Sequence, residues 1–211
     1  MKRLARLLPL LLAAACTVLP DNLDEAPERG AVLLATVTMG HSGPFWERTG
    51  FVLRDGKGKR FRLDSAVPRT IYPMLESTPD EGMEKENGLL VAIARPAGEF
   101  KIEEVRIYSV PAIHARLAEP VVFRAGEGET VYIGNLHVEL CHLRGESGHP
   151  YYVAGGHPSA TNRWERDGPL LKAKFPWLRE RAVVHRIPDD RALRDGAKDL
   201  CRKCPEAPPT R

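Results

Sequence analysis

Four histidines lie within a 21-residue stretch and are the side chains of this chain best suited to chemistry: His137, His142, His149 and His157. Cys141 stands directly before one of them. Neutral imidazole and thiolate are good ligands for zinc or copper, so one hypothesis is a metal-binding protein or metallohydrolase that uses this region. The spacings match no ordinary ligand pattern such as His-Glu-x-x-His, however. The favoured interpretation is therefore surface and loop histidines in a glycine-rich segment.

The motif Cys201-Arg-Lys-Cys204 is a second candidate, because a Cys-x-x-Cys pair can act as a redox dithiol. Such a dithiol normally lies at the start of a helix, whereas this pair lies at the predicted end of one. A structural disulfide is the alternative: either Cys201 bonds Cys204, or one of the two bonds Cys141. We favour a bond to Cys141, because closing a long loop stabilises a fold more than closing a short one.

Serines and carboxylates of the kind used by hydrolases are present, but their spacing does not favour catalysis. Ser147 and Ser159 both miss the Gly-x-Ser-x-Gly pattern of a nucleophile elbow. Glu103 and Glu104 are adjacent on a predicted strand, so we expect them to point to opposite faces, which is unsuitable for paired acid–base work. The sequence favours a non-enzymatic protein, with no catalytic residue and no cofactor assigned.

Residues 1–15 have the pattern of a secretory signal peptide. The basic start MKRLAR precedes the apolar run LLPLLLAAA, which is too short for a membrane-spanning helix of roughly 20 residues. The run ends in Leu-Ala-Ala-Ala-Cys, which resembles the lipobox of bacterial lipoproteins. This resemblance implies that Cys16 becomes a lipidated first residue, and Thr17 after it favours the outer membrane. Ordinary cleavage near this position, without lipidation, is the alternative.

The segments that flank the predicted domain are polar. Residues 16–30 are rich in proline and acids and lack hydrophobic periodicity, which predicts a flexible tether, and residues 205–211 predict a disordered tail. Cleavage removes Lys2, Arg3 and Arg6 from the 31 basic residues and leaves 28, equal to the 28 acidic ones. Because no net positive charge remains to attract phosphates, we expect no nucleic-acid partner.

Residues 31–204 have the strand and turn pattern of one β-sandwich domain. Runs of β-branched and aromatic residues, separated by turns rich in Gly and Pro, predict strands. The runs lie at 31–39, 51–55, 59–65, 89–94, 101–110, 120–123, 130–140, 151–154 and 182–187. We predict a mainly β fold, a sandwich of about seven or eight strands.

The run 130–140 changes the phase of its hydrophobic alternation. Val131 and Ile133 lie in one phase, and the apolar residues after Asn135 lie in the other. A β-bulge at Gly134 would restore the phase. With this bulge, three residues are predicted to face the core: Leu136, Val138 and Leu140. Three others are predicted to face outward: His137, Glu139 and Cys141. His142 would then point away from these outward-facing residues.

Two helices are predicted at the C-terminal end of the domain. Asn162 with Glu165 is a capping pair for the first, and Gly168-Pro169 either kinks it or marks a second start. The second begins at Asp189 and carries an apolar stripe of Leu193, Ala197 and Leu200. We predict that both helices pack against the sandwich.

Three further segments carry a family resemblance together with the lipobox: LLVAIARPAGEFKIEEV, FRAGEGETVYIGNL and NRWERDGPLLKAKFPWL. They resemble uncharacterised bacterial lipoproteins that have a small transthyretin-like or immunoglobulin-like β-sandwich, a domain of unknown function. The likeness covers roughly residues 31–178. It implies a fold and an envelope location, and it assigns no catalytic residue.

These observations lead to one prediction and two alternatives. We predict a lipid-anchored protein of the bacterial cell envelope, at the outer membrane and facing the periplasm. Its role would be that of a non-enzymatic binding or structural module, with an envelope protein or a glycan as partner. The alternatives are a periplasmic metal protein that uses the His137–His157 region, and a redox protein that uses Cys201 and Cys204.

Overall fold

A computed structural model describes residues 23, 27, 29–40, 47–66, 78–109, 112–143, 152–201 and 204. The predicted signal peptide, Cys16 and the predicted tail lie outside the described residues, and so does most of the predicted tether. Among the described residues, no helix is long and apolar enough to cross a membrane.

The described chain forms nine strands, two α-helices and three short 3-10 helices. The strands are β1 (Ala31–Gly40), β2 (Arg48–Arg54), β3 (Arg60–Asp64), β4 (Leu89–Arg95), β5 (Gly98–Tyr108), β6 (Ile113–Ala125), β7 (Thr130–Leu143), β8 (Tyr152–Thr161) and β9 (Val183–His185). The α-helices are α1 (Trp164–Lys174) and α2 (Asp190–Gly196), and the 3-10 helices are Glu84–Glu86, Pro176–Glu180 and Lys198–Cys201.

The strands form two sheets. Sheet A has the order β4-β1-β7-β8, with β9 beside the first residues of β7, and sheet B has the order β3-β2-β5-β6. The pairs β1–β7 and β7–β9 are parallel, and the other pairs are antiparallel. The prediction of a mainly β sandwich with two C-terminal helices is confirmed.

The main core lies between the two sheets. The inward residues of sheet B include Phe51, Phe100 and Ile107, all fully buried, and Phe100 stacks on Phe123 with ring centroids 5.3 Å apart. Sheet A supplies residues such as Val138 from its inner face. Both faces alternate with period two, as expected where two sheets pack face to face.

A second apolar cluster lies on the outer face of sheet A. Helix α1 and the 3-10 turn after it place Leu171, Phe175 and Leu178 against residues of β1, β4 and β7. Sheet A is therefore buried on both faces, which explains why β1 is a nearly continuous apolar run rather than an alternating one. Leu23, within the predicted tether, donates a backbone hydrogen bond to Ala92 and packs on this cluster.

Helix α2 closes one open side of the sandwich. It packs against β8 of sheet A and β6 of sheet B. Leu193 of α2, Ala197 at its C-terminal end and Leu200 of the following 3-10 helix are buried and join the main core. The Asp189 carboxylate accepts hydrogen bonds from the backbone N–H groups of Arg191 and Ala192, an N-cap that fixes the helix start. Both α-helices therefore pack against the sandwich: α1 covers the outer face of sheet A, and α2 covers the open side between β8 and β6.

The β-bulge predicted in β7 is present. In the β1–β7 ladder, Leu34 pairs with Tyr132 and Thr36 pairs with Asn135, so β7 contains one extra residue at this point. Gly134 provides the positive φ of 96°. The three residues predicted to face the core, Leu136, Val138 and Leu140, are buried there.

Several strand boundaries differ from the sequence prediction: β8 runs over Tyr152–Thr161 rather than 151–154, and β6 and β5 differ as follows. Strand β6 runs over Ile113–Ala125 rather than 120–123, because its first half, with Ala, His and Arg between apolar residues, pairs with β5. Strand β5 begins at Gly98, so the turn predicted over residues 96–100 is shorter than expected. In both cases pairing with a neighbouring strand extends a segment of weak local propensity.

Candidate functional site

The structure does not gather the four predicted histidines into one site. His137 and His157 lie on the outer face of sheet A, since the β7–β8 ladder pairs Glu139 with His157. His142 lies after a register shift and faces the other way, with its Nε2 atom 3.8 Å from Glu47 Oε1. His149 is outside the described residues. The metal hypothesis, as a single site of these histidines, is not supported by their placement.

His137 is bound to its neighbours on sheet A. Its Nδ1 atom lies 2.8 Å from Thr38 Oγ1, and its Nε2 atom lies 3.2 Å from Glu139 Oε2. Thr38 Oγ1 also donates to Asn135 Oδ1 at 2.7 Å, next to the bulge. These contacts tie β1 to β7, a structural role.

The disulfide joins Cys141 to Cys204, which are 63 positions apart in the sequence and have Cα atoms 5.6 Å apart. The favoured pairing is confirmed, and it links the end of the chain to sheet A. Cys141 was expected to face outward; it is on that face but only 7% exposed, because the C-terminal segment lies over it. A redox role for Cys201 and Cys204 stays a prediction, with Cys204 bonded to Cys141.

A ring nitrogen of His157 and the two sulfur atoms of this disulfide lie within 4.8 Å of one another. In the part of the chain that the structure describes, this is the group of three or more Cys, His or acidic side chains close enough to hold a metal ion. Of the four predicted histidines, His157 is therefore the one whose neighbours most resemble a set of metal ligands.

Glu47 is a buried carboxylate that the sequence did not single out. It is 5% exposed, lies between the sheets near His142, and its Oε2 atom has no hydrogen-bond partner among the described residues. Burial raises the pKa of its carboxyl group. The sequence around Glu47 did not mark it as a site residue. Its contact with His142 of β7 forms only when the two sheets stack, which local spacing does not reveal.

A buried polar network joins α1 to sheet A. Asp167, fully buried, accepts hydrogen bonds from Thr36 Oγ1 at 2.6 Å, from Tyr132 Oη at 2.5 Å and from Arg166 Nε at 2.6 Å. The Trp164 ring packs against the Tyr132 ring at a tilt of 56°, with centroids 5.0 Å apart. Burial and the bond to the Asp167 carboxylate raise the pKa of Tyr132, which remains a protonated donor. Both oxygen atoms of the Asp167 carboxylate accept from donors of the fold itself, so the network is structural.

The strands of sheet B carry an excess of basic side chains. Counted over all four strands, there are eight cations and five acids. The cations are Arg48, Arg54, Arg60, Arg62, Lys101, Arg106, Arg116 and Arg124, and the acids are Asp64, Glu99, Glu103, Glu104 and Glu119. We call the outer surface of this sheet the arginine face.

Glu103 and Glu104 share the arginine face, so the expectation that they point apart is wrong. The ladders of β5 shift register here, and a bulge turns both carboxylates outward. Arg60 reaches both, at 3.3 Å and 2.9 Å. Hydrogen bonds from Arg54 and Arg106 lower the pKa of Glu103 and Glu104 respectively. Two ionised, paired carboxylates hold guanidinium groups in place and do not form an acid–base pair.

Tyr108 positions two further arginines at one end of this face. The Arg48 guanidinium lies over its ring, 4.4 Å from the centroid, and Arg62 Nη1 donates to its hydroxyl group at 3.1 Å. Asp64 lies beneath them, 3% exposed, and burial raises the pKa of its carboxyl group although Arg48, Arg62 and Arg106 oppose the shift. The guanidinium groups are thus fixed before any ligand arrives.

A depression of about 240 Å³ adjoins this cluster. It lies between the ends of β5 and β6, and its lining combines charged, aromatic and apolar side chains: Glu104, Arg106, Ile107, Tyr108, Ala112, Ile113 and His114. It is large enough for one sugar ring or a similar group, and Arg106 places a cation at its wall.

The sequence contained a signal for the arginine face that composition concealed. Arginine alternates with apolar residues in RFRLD of β3 and in VRIY of β5, which places the cations on one side of the sheet. Summed over the whole chain, 31 basic residues stand against 28 acidic ones, so the net charge does not reveal the cluster. Assignment of charge to individual strand faces, rather than to the whole chain, reveals the surface.

Comparison with protein-family models, with curated proteins and with solved structures gives no significant match. The geometry of the described residues is therefore the basis for any statement about function.

Proposed function

We propose that this chain is a lipid-anchored module of the bacterial cell envelope that binds an acidic polysaccharide on the arginine face, without catalysis. The observation that carries the proposal is the excess of cations over acids on the strands of sheet B, eight against five. Arginine is the residue best suited to carboxylate recognition, because its planar fork can donate two parallel hydrogen bonds.

The location rests on the sequence. The basic start, the apolar run and Leu-Ala-Ala-Ala-Cys16 support export and lipidation. The Cys141–Cys204 disulfide is consistent with an oxidising compartment outside the cytoplasm. A periplasmic module meets acidic glycans of the envelope, whereas it does not normally meet nucleic acid.

The spread of cations over the arginine face favours an extended polymer over a small solute as the ligand. Cations lie on all four strands of sheet B, from Arg60 on β3 to Arg116 and Arg124 on β6. Neighbouring strands are about 4.8 Å apart, so the face offers contacts in rows that an extended chain of carboxylates can follow. The depression beside Tyr108 offers a seat for one ring of such a chain.

The experiment measures binding of the secreted domain, residues 23–204, to a polyuronate such as alginate, by calorimetry at low and at physiological salt. We expect binding that weakens with salt, because the contacts are between charges near the surface. Arg48→Gln with Arg62→Gln removes the pair fixed by Tyr108 and should weaken binding roughly 10-fold or more, the effect of losing charged hydrogen bonds.

The matched control is Arg191→Gln, which removes an arginine of α2 that is 91% exposed and lies outside the arginine face. It should bind as the wild type does. Neutral dextran should not bind. Equal loss in both variants, or no binding to alginate, would overturn the proposal, and stronger binding to single-stranded DNA than to alginate would assign the face to another polyanion.

A further inference from the structure

The Cys141–Cys204 disulfide has a histidine beside it that its structural role does not require. Sγ of Cys141, Sγ of Cys204 and a ring nitrogen of His157 lie within 4.8 Å of one another. Cys141 and His157 come from neighbouring strands of sheet A, while Cys204 comes from the end of the chain. Three potential ligands from three segments therefore converge at one point.

We propose that reduction of this disulfide converts it into a zinc site whose protein ligands are Cys141, Cys204 and His157. Two thiolates and one imidazole form a ligand set that suits Zn²⁺, with water in the fourth position. In a tetrahedral site with Zn–S distances of about 2.3 Å, the two sulfurs lie roughly 3.8 Å apart. The three ligand atoms lie within 4.8 Å of one another, so once the S–S bond is broken small movements bring them to these separations.

The redox step needs an external dithiol reductant. Its two thiols become a disulfide as the Cys141–Cys204 bond breaks, so two electrons and two protons pass to the two sulfurs. Zn²⁺ then binds the thiolates and releases those two protons to solvent. In the test below a phosphine replaces the dithiol: it is oxidised to the phosphine oxide with oxygen from water, and the same two electrons and two protons reach the sulfurs.

The backbone around the site permits the close approach that both states need. A Cβ added at Gly155, on β8 opposite Cys141, would lie 1.9 Å from the Leu200 carbonyl oxygen and 3.2 Å from Cys204 Sγ. A residue with a side chain there would displace the C-terminal segment. Because Gly155 has no side chain, the backbone at Leu200 can lie close to β8, and the buried Leu200 side chain keeps the segment before Cys204 near sheet A when the covalent bond is lost.

The site would hold the C-terminal segment in either redox state. The disulfide links the segment that follows α2 to β7 when oxidised, and the metal replaces that link when reduced. Because α2 and Leu200 complete the main core, loss of both links would weaken the closed side of the sandwich. The proposal is independent of the polysaccharide site, which lies on sheet B.

The test is a titration of the tag-free domain with Zn²⁺, before and after reduction by a phosphine, in buffer that contains no chelator. We expect one Zn²⁺ per reduced chain and none per oxidised chain. His157→Ala should weaken zinc binding by more than the roughly 10- to 100-fold that loss of an outer hydrogen-bond partner of a ligand costs. His114→Ala, a histidine on sheet B, is the matched control and should bind as the wild type does.

Near-ultraviolet circular dichroism shows whether the reduced chain is folded. If it unfolds without metal, Zn²⁺ should restore the native signal in the wild type and in His114→Ala but not in His157→Ala. Absence of binding by the reduced wild type, equal affinity in His157→Ala, or equal binding by the oxidised chain would each overturn the proposal.

Discussion

The Tyr132 hydroxyl group donates a 2.5 Å hydrogen bond to the fully buried Asp167 carboxylate, and this contact fixes α1 on the central strand of sheet A. Asp167 lies within α1 rather than at a second helix start, because its side chain turns into the sheet. A buried carboxylate is stable only with partners, and here Thr36 and Arg166 supply the others.

Tyr132→Phe should destabilise the domain by about 1.5–3 kcal/mol, because it removes one donor and leaves the Asp167 carboxylate partly unpaired in an apolar setting. Urea unfolding followed by tryptophan fluorescence measures the change. Tyr152→Phe is the control, since Tyr152 is 43% exposed and its hydroxyl lies at the surface. An equal effect of the two substitutions would contradict the role given to the Asp167 bond.

The β-bulge of β7 could be predicted from the sequence because its cause is local. The apolar residues change phase at Gly134, and one extra residue is the way a strand restores phase without burying His137 and Glu139. The same reasoning gave Leu136, Val138 and Leu140 as core residues. Local pattern was sufficient here because the buried face of the strand determines its register.

Gly134→Ala should destabilise the domain by about 2 kcal/mol or more, because φ is +96° and a Cβ would lie 2.8 Å from the Thr161 carbonyl oxygen. Gly128→Ala is the matched control: its φ is +71° and no heavy atom lies within 4 Å of the added Cβ. The control measures the cost of positive φ alone, about 1–2 kcal/mol. Equal losses in urea unfolding would show that the contact with Thr161 is unimportant.

The shared face of Glu103 and Glu104 carried a similar signal, which the prediction overlooked. Ile102 and Val105 both belong to the main core, yet they lie three residues apart and so in opposite phases of the alternation. Strand β5 must therefore contain an extra residue between them, as β7 does at Gly134. No glycine marks the position here, and the residue that bulges is set by pairing with β2 and β6, which are distant in sequence.

The pairing of these two carboxylates makes stability depend on pH in a defined direction. Their pKa values are lowered in the folded state by Arg54 and Arg106, so their stabilisation is fully present above the ordinary carboxylate pKa of about 4.3. It is lost as the pH falls through the lower folded pKa. Glu103→Gln with Glu104→Gln should be less stable than the wild type at pH 7, and the difference should shrink below about pH 4.3.

Asp64→Asn should show the opposite trend and serves as the comparison. Burial raises the pKa of Asp64, so its contribution is present below the unfolded pKa and is lost as the pH rises through the folded pKa. The wild type should gain relative to this variant on acidification. Urea unfolding at a series of pH values measures both differences, and parallel curves for the two variants would contradict the assigned environments.

The sequence offered alternative disulfide pairings but could not decide between them. The entropy of loop closure favoured a bond between Cys141 and one cysteine of the motif Cys201-Arg-Lys-Cys204. Which of the two cysteines forms the bond depended on how α2 ends. The structure closes α2 with a 3-10 turn over Lys198–Cys201 and carries Cys204 to sheet A. Local sequence does not fix where such a turn leaves the following residues.

Cys204→Ser should lower the free energy of unfolding by about 4 kcal/mol, the chain-entropy value for a loop of this length. Cys201→Ser is the matched control three residues earlier and should leave stability within about 0.5 kcal/mol of the wild type. Both are measured by urea unfolding of the oxidised proteins with chelator present, so that bound metal does not contribute. A large loss of stability in Cys201→Ser would mean that Cys201 bonds Cys204 in solution. The disulfide between Cys141 and Cys204 beside His157 would then be absent.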